Sequence, residues 1–419
     1  MTEKKKILVI ADSPLVPSGV GTQTKYMIEA MLRTGEFQFF CLAGAIRHQD
    51  YRIQRVDPYG EDWLIKPVDG YGNPQIVRQV IKEYKPDALW FMTDPRFYVW
   101  LWDMSSEIRK NIPMIYYHVW DNYPYPNFNK KYYDSNDMIC TISKVTNDIV
   151  RTVSPDVKCL RIPHSVDTNI FCKKDDQIVN NFRSQICKDH EQKTIFFWNN
   201  RNARRKQSGS LIFWFKDFLD RVGHDKAVLL MHTEPKDPNG QDLVAIMENL
   251  GLVNGEVVLS QQKMPPQNLA NIYGSVDCTV NISDAEGFGL ATLESLASET
   301  PIIVNMTGGL QEQVTDGKNW FGIGLRPSSK AVIGSQDVPY IYEDRLNGKE
   351  VVDALERFYN FSKEEREALG KAGRKHVMDN YGFSQYAGLW YQAFQELFND
   401  CGSWETRKNY KHWSFKELQ

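Results

Sequence analysis

The chain has 419 residues, 42% hydrophobic and 25% charged, and its 50 Lys and Arg against 53 Asp and Glu give a formal charge of -3. This length exceeds one hydrophobic core and suits two domains, and the composition excludes disorder, collagen and coiled coil. The near-neutral balance supplies no global attraction to nucleic acid or to an anionic membrane.

The first predicted element, Lys6 to Ala11, is an apolar, β-branched run that reads as a buried parallel strand. A loop with Pro14, Pro17, Gly19 and Gly21 follows, then helical spacing from Thr24 to Leu32, which together open a βαβ unit. Glu36 to Leu42, Pro86 to Phe91, Ile112 to His118 and Met138 to Ile142 read as further strands, with a helix at Gln75 to Tyr84. A second series starts at Thr194 to Trp198, continues through a helix at Ser208 to Arg221, and adds strands at 227–231, 256–259, 278–282 and 301–304. Two such series predict two Rossmann-like α/β domains, 1–170 and 171–384, joined around Asp167 to Arg183.

Residues 385–419 form a return helix and tail. The aromatic face of Tyr386, Trp390, Tyr391, Phe394 and Leu397 must be buried, either on the first domain, clamping the lobes, or on the second. The polar tail carries Trp404 and Trp413.

The seven cysteines are scattered and form no C-x-x-C, so zinc and a disulfide framework are poorly supported and a reducing, cytoplasmic setting is expected. No window supplies the ~18 apolar residues of a membrane span, and Ile7 to Ala11 is too short for a secretory leader.

The strongest local signal is Ser283 to Glu294, between a buried strand and a helix that begins near Ala291. Gly287 and Gly289 leave backbone amides open, and with the helix start they suit a phosphate or a sugar hydroxyl. Glu294 lies about one turn into the helix and suits a ribose diol, while Glu286 on the loop suits sugar hydroxyls. The plainer reading is two glutamates flanking a tight turn, one of them as a helix-start charge.

This segment resembles the Glu-x7-Glu motif of retaining glycosyltransferases with the GT-B fold, in the family 4 group. Ile162 to Phe171 resembles that family's interdomain signature, Asn200 to Lys206 its G-R-x-x-x-x-K stretch, and Gly308-Gly309-x-x-Glu312 its downstream G-G-x-x-E. The resemblance implies two tandem Rossmann-like domains facing across a cleft, with the C-terminal helix crossing back to the first.

It also implies roles. Arg201 and Lys206 contact the donor diphosphate, where two fixed cations stabilise the departing charge; by themselves they read as a solvated basic turn. Glu294 holds the nucleotide ribose. Glu286, with the backbone of Gly287, Phe288, Gly289 and Leu290, holds the donor sugar and distal phosphate. Gly19 and Gly21 resemble the family's N-terminal glycine loop, which approaches the donor diphosphate from the other lobe, and His118 a histidine beside the donor sugar, against the plainer reading of a structural strand-end histidine. Asp94 and, more weakly, Asp121 are candidates for the acceptor hydroxyl. His164, Ser165 and Asn200 depart from the family pattern, and Arg204 and Arg205 add charge that suits a larger anionic ligand.

Nicotinamide chemistry is disfavoured, because Gly19-Val-Gly21-Thr-Gln-Thr24 lacks the last glycine of G-x-G-x-x-G and the second strand ends without an acid. No Asp-x-Asp occurs, which argues against the metal-dependent glycosyltransferase architecture; the resemblance implies a nucleoside diphosphate sugar, UDP-sugar favoured, as co-substrate, with no metal and no cofactor. Retention at the anomeric carbon follows from the resemblance, by same-face attack with no protein nucleophile. A non-catalytic nucleotide-sugar-binding protein is the alternative from another class.

The first lobe is aromatic: Tyr116, Tyr117, Trp120, Tyr123, Tyr125, Phe128, Tyr132 and Tyr133 fall within 18 residues, and Trp90, Phe91, Phe97, Tyr98, Trp100 and Trp102 come shortly before. Most read as core. The rest suit stacking on a sugar ring or an extruded base. Two acceptor classes follow: a carbohydrate or small hydroxylated metabolite, or a hydroxylated DNA base contacted by Lys130, Lys131 and the basic tail from Arg407 to Lys411. The net charge disfavours the second. Oligomeric state is not legible.

Overall fold

The computed structural model describes residues 3–189 and 192–411; Trp413 and the end of the tail lie outside the described residues. The chain divides into two compact units. One comprises the residues through Ser165, Gly334–Pro339 and those from Phe383 onward; the other comprises Val166–Ile333 and Tyr340–Gly382.

The strands of unit 1 are β1 (Lys5–Asp12), β2 (Phe37–Gly44), β3 (Gln54–Val56), β4 (Gly60–Pro67), β5 (Ala88–Met92), β6 (Met114–His118), β7 (Met138–Thr141) and β8 (Lys158–Arg161). Among the described residues they form one sheet in the order β3-β4-β2-β1-β5-β6-β7-β8. Neighbours are parallel except β3, which runs antiparallel to β4. Every residue of β5 and β6 is buried, as the continuous apolar runs of central parallel strands require. β4 was not anticipated: it alternates, burying Trp63, Ile65 and Pro67 with the less buried Leu64 and Lys66 between them, and it carries the polar Glu61 and Asp62 near its start. β8 is a short edge strand with Lys158 and Arg161 at its ends.

The first helix spans Gly19–Leu32 and is capped by Ser18, whose hydroxyl accepts from the Gly21 amide at 2.9 Å. Gly19 and Gly21 therefore lie in the first helical turn and not in a free glycine loop, which corrects the expected placement. Gly21 is needed for close approach: a Cβ there would lie 2.7 Å from the Ser13 carbonyl oxygen.

The helix Phe383–Cys401 buries Tyr386, Trp390, Ala393, Phe394 and Leu397 on one face. Trp390 packs edge-on against Trp90 and Tyr117, and Phe394 meets Phe37 at 5.4 Å. The Tyr386 hydroxyl donates to the Gln23 carbonyl at 2.9 Å. The aromatic face thus belongs to the first sheet. The tail continues on the same unit, with Trp404 donating to the Pro86 carbonyl and Arg407 paired with Asp137 at 2.7 Å. Arg407 is buried in that pair and is not free to track a nucleic-acid strand. Lys130 likewise pairs with Asp134, and Lys131 lies over the Tyr132 ring.

Unit 2 contains β9 (Thr194–Asn199), β10 (Ala227–His232), β11 (Val257–Ser260), β12 (Cys278–Asn281), β13 (Ile302–Asn305) and β14 (Gly322–Leu325), all parallel, in the order β11-β10-β9-β12-β13-β14. A hairpin, β15 (Ser329–Ile333) and β16 (Ile341–Arg345), follows. Phe196, Trp198, Phe215, Phe218 and Phe358 anchor the core between the sheet and the helices Ser208–Val222 and Gly348–Tyr359. Val166 to Phe171 sits with this unit, earlier than the expected break after residue 170: the Val166 amide donates to Tyr381 and Arg374 donates to the Phe171 carbonyl. Among the described residues no helix is long and apolar enough to cross a membrane.

Candidate functional site

In unit 2 the strand order reverses between β9 and β12. In open α/β sheets the crevice beyond the carboxyl ends at such a point is where ligands bind. Two segments meet there: the turn after β9, ending in Lys206, and the loop from β12 to the helix Leu290–Ala297. The segments are zipped together, since the Asp284 amide donates to the Arg205 carbonyl and the Arg205 guanidinium to the Ala285 carbonyl, both at 2.8 Å.

Lys206 is 6% exposed and its ammonium pairs with the Glu286 carboxylate. Burial pushes the Glu286 carboxyl up, but Lys206, Arg205 and Asn281 outweigh it and hold the group below the usual range. Glu294 stands one turn into the helix that starts at Leu290. Burial pushes its carboxyl up to about 8, against the pull of a hydrogen bond from Tyr273. The Tyr273 hydroxyl in turn accepts from Asn199 at 2.8 Å. Glu294 is thereby tied to the end of β9, where the segment bearing Lys206 begins.

The loop backbone is held from beneath. Gly289 has φ +89°, the left-handed conformation that lets the chain turn into the helix. Gln313 donates to the carbonyls of Phe288 and Gly289, and the Phe288 ring packs on Tyr381. Gly309 donates its amide to the Glu286 carbonyl at 3.1 Å. A Cβ at Gly308, whose φ is +47°, would lie 1.8 Å from that same oxygen. Gly308→Ala is therefore expected to displace Glu286 and lower ligand affinity at least about tenfold, since a 1 Å misplacement is that costly. Titration calorimetry with a nucleoside diphosphate sugar tests this; unaltered affinity would refute it.

The structure brings Lys206, Glu286, Gly287, Phe288, Gly289, Leu290 and Glu294 to one edge. Arg201 is on the same segment but 63% exposed, and its guanidinium forks onto Asp237 at 2.7 and 3.2 Å. Arg204 and Arg205 both have partners within unit 2. Arg204 forks onto Glu343, Arg345 bridges Glu343 to Asp284, and Gln207 donates to Asp284 at 2.6 Å. Arg204 therefore already holds a carboxylate, while Arg205 is engaged by the Ala285 carbonyl. The network ties the hairpin to the site loop. Burial, the largest influence on Asp284, pushes its carboxyl up to about 6 despite Gln207 and Arg345. Asn199, Tyr273, Asp284, Glu343 and Arg345 were not singled out from the sequence; their partners are far away along the chain.

In unit 1 the histidine expectation changes. His118 is fully buried, with Nδ1 at 3.0 Å from the Tyr116 hydroxyl and Nε2 at 2.7 Å from that of Tyr133. Burial lowers its pKa to about 3, so the ring is neutral. A direct sugar contact needs an open ring edge that this geometry does not offer. Asp94 caps the turn Pro95–Phe97 and is forked by Arg96 at 2.9 and 3.0 Å. Asp121 is partly exposed in the loop after β6. Of the aromatic residues, Trp90, Phe91, Tyr98, Trp102, Tyr116, Tyr117, Trp120 and Tyr133 are core, while Phe97 and Tyr125 are exposed.

Residues 180–376 match the family described as glycosyl transferases group 1. The matched stretch contains Arg201, Lys206, Glu286 and Glu294. Curated relatives are the D-inositol 3-phosphate glycosyltransferases of Paenarthrobacter aurescens, 28% identical over 162 residues (38% of this chain, 33% of that protein), and of Corynebacterium jeikeium, 25% identical over 188 residues (43% and 44%). The chain thus spans between a third and a half of the length of these two relatives. Among solved structures, sucrose-phosphate synthase from Thermosynechococcus elongatus superposes with TM-score 0.72 at 16% identity, covering 94% of this chain and 100% of that one. Anabaena HepE, in complex with UDP and glucose, gives 0.68 at 12% identity, covering 94% and 100%. These likenesses establish the fold: α/β, GT-B, with two Rossmann-like domains.

Proposed function

We propose that the chain is a retaining glycosyltransferase that moves a sugar from a nucleoside diphosphate donor, UDP-sugar favoured, to a hydroxyl of a carbohydrate or small metabolite. The observation that carries this reading is the buried Lys206–Glu286 pair at the β9/β12 switch point, beside the start of a helix with Glu294 one turn in. Lys206, the helix start and Arg201, once drawn off Asp237, meet the negative charge of the leaving diphosphate. Glu286 accepts from sugar hydroxyls and Glu294 from the ribose. In the transfer, the bond from the anomeric carbon to the diphosphate oxygen breaks and a bond to the acceptor oxygen forms. The acceptor proton passes to the departing diphosphate, and the products are a glycoside and a nucleoside diphosphate. The names of the curated relatives make a phosphorylated cyclic polyol the first acceptor class to test.

The experiment is a hydrolysis and transfer screen with UDP-, GDP- and ADP-sugars, with the product anomer assigned by NMR. Release of nucleoside diphosphate with a retained anomer supports the reading. Binding without release from any donor would instead support a nucleotide-sugar-binding protein.

A pH dependence follows from Glu294. With its carboxyl near 8, the group is largely protonated at pH 7, and a ribose diol prefers the ionised form as acceptor. Donor binding then releases a proton, so donor KM is expected to fall between pH 7 and 9, up to about tenfold. Glu294→Gln is expected to raise KM and flatten the profile. A wild-type KM that does not change over this range would reject the ribose contact.

A further inference from the structure

Unit 1 has its own switch point, because the order β4-β2-β1-β5-β6 reverses between β1 and β5. A transferase needs a second ligand site, and the crevice beyond these carboxyl ends is where the sheet provides one. From its chemistry we infer that the acceptor is a neutral, polyhydroxylated ring, a sugar or cyclic polyol without phosphate, which rests on the glycosyl-transfer reading above.

Asp12 ends β1 and is 9% exposed. One carboxylate oxygen accepts from the Ser18 hydroxyl at 2.7 Å and the other from the Tyr71 hydroxyl at 2.9 Å. Each oxygen keeps a further lone pair for a donor. Tyr71 is held in place because the Ala45 amide donates to the Gly70 carbonyl at 2.8 Å, and a Cβ at Gly44 would lie 2.0 Å from that oxygen. Tyr98 forms the floor, its hydroxyl 2.8 Å from both the Ile10 carbonyl of β1 and the Met92 carbonyl of β5. The rings of Tyr71 and Phe97 are 5.3 Å apart, and Phe97 is 50% exposed.

This combination selects by chemistry. A carboxylate only accepts hydrogen bonds, so it favours the hydroxyls of a sugar and repels a phosphate ester. The open Phe97 ring offers an apolar face for the C–H side of a pyranose or cyclitol. Arg96, the residue before Phe97, is already forked onto Asp94. A polynucleotide would bring phosphates to the same acidic crevice.

The test uses the full chain with UDP-, GDP- and ADP-glucose as donors and paired acceptors: myo-inositol against inositol 3-phosphate, glucose against glucose 6-phosphate, and hydroxymethylated duplex DNA. The neutral member of each pair is expected to win by at least about tenfold in kcat/KM. Phe97→Ala is expected to raise acceptor KM about fivefold to tenfold, with Phe97→Tyr restoring it. Asp12→Asn is expected to narrow the preference for the neutral acceptor. Preference for a phosphorylated acceptor or for DNA, or an acceptor KM unmoved by Phe97→Ala, overturns the inference while nucleoside diphosphate release still supports glycosyl transfer. If no donor releases its diphosphate, both readings fall together.

Discussion

Replacing Lys206 by alanine is expected to lower turnover by about 10²-fold or more, the usual effect of removing a fixed charge that acts on the transition state. Lys206 is nearly enclosed and its partner Glu286 is buried with it, so the variant also strands a carboxylate without its cation. Breaking such a pair costs ~3–5 kcal/mol unless the survivor takes up a proton. Catalysis and stability separate in the double variant Lys206→Ala/Glu286→Gln, which removes the stranded charge. It is expected to recover thermal stability without recovering turnover. Steady-state kinetics and a thermal melt on the same samples read both effects, and unchanged turnover in the single variant would reject the role given to Lys206. Arg201→Ala in the same assay reports whether a ligand draws that guanidinium off Asp237: a loss comparable to that of Lys206 says it does.

Trp390→Ala is expected to destabilise unit 1 by ~3–5 kcal/mol, the cost of deleting a large buried aromatic side chain. Trp390 has no solvent exposure and its ring meets those of Trp90, Tyr117, Tyr386 and Phe394. The helix Phe383–Cys401 closes the core of the first sheet through this residue, so its loss opens a cavity that rigid parallel strands cannot fill. Gln392→Ala, on the exposed face of the same helix, is the control and is expected to change stability by about 0.5 kcal/mol or less. Denaturant unfolding followed by tryptophan fluorescence tests the pair. Equal midpoints would show that the docking of this helix is dispensable.

Central strands were readable because full burial leaves an uninterrupted apolar run, as in β5 and β6. β4 and β8 escaped because half-buried and edge strands keep polar residues in register with the apolar ones. The candidate-site loop was readable because its chemistry is local: Glu286, Gly287, Gly289 and Glu294 lie within one strand-to-helix turn. Arg204 was harder to read for the opposite reason. A cationic run looks alike whether it awaits an anion or already holds one, and here Glu343 neutralises Arg204 from far along the chain.

Spacing along the chain therefore determined the two α/β series, the phosphate-suited loop and the candidate glutamates, since periodicity and turn chemistry act over a few residues. Only the tertiary structure decided which charges were already paired, that His118 is sealed between two tyrosine hydroxyls, that Tyr273 tethers Glu294, and that Tyr71 touches both Asp12 and Phe97. Those facts depend on burial and on contacts between residues distant in the chain, and both arise only when the sheets assemble.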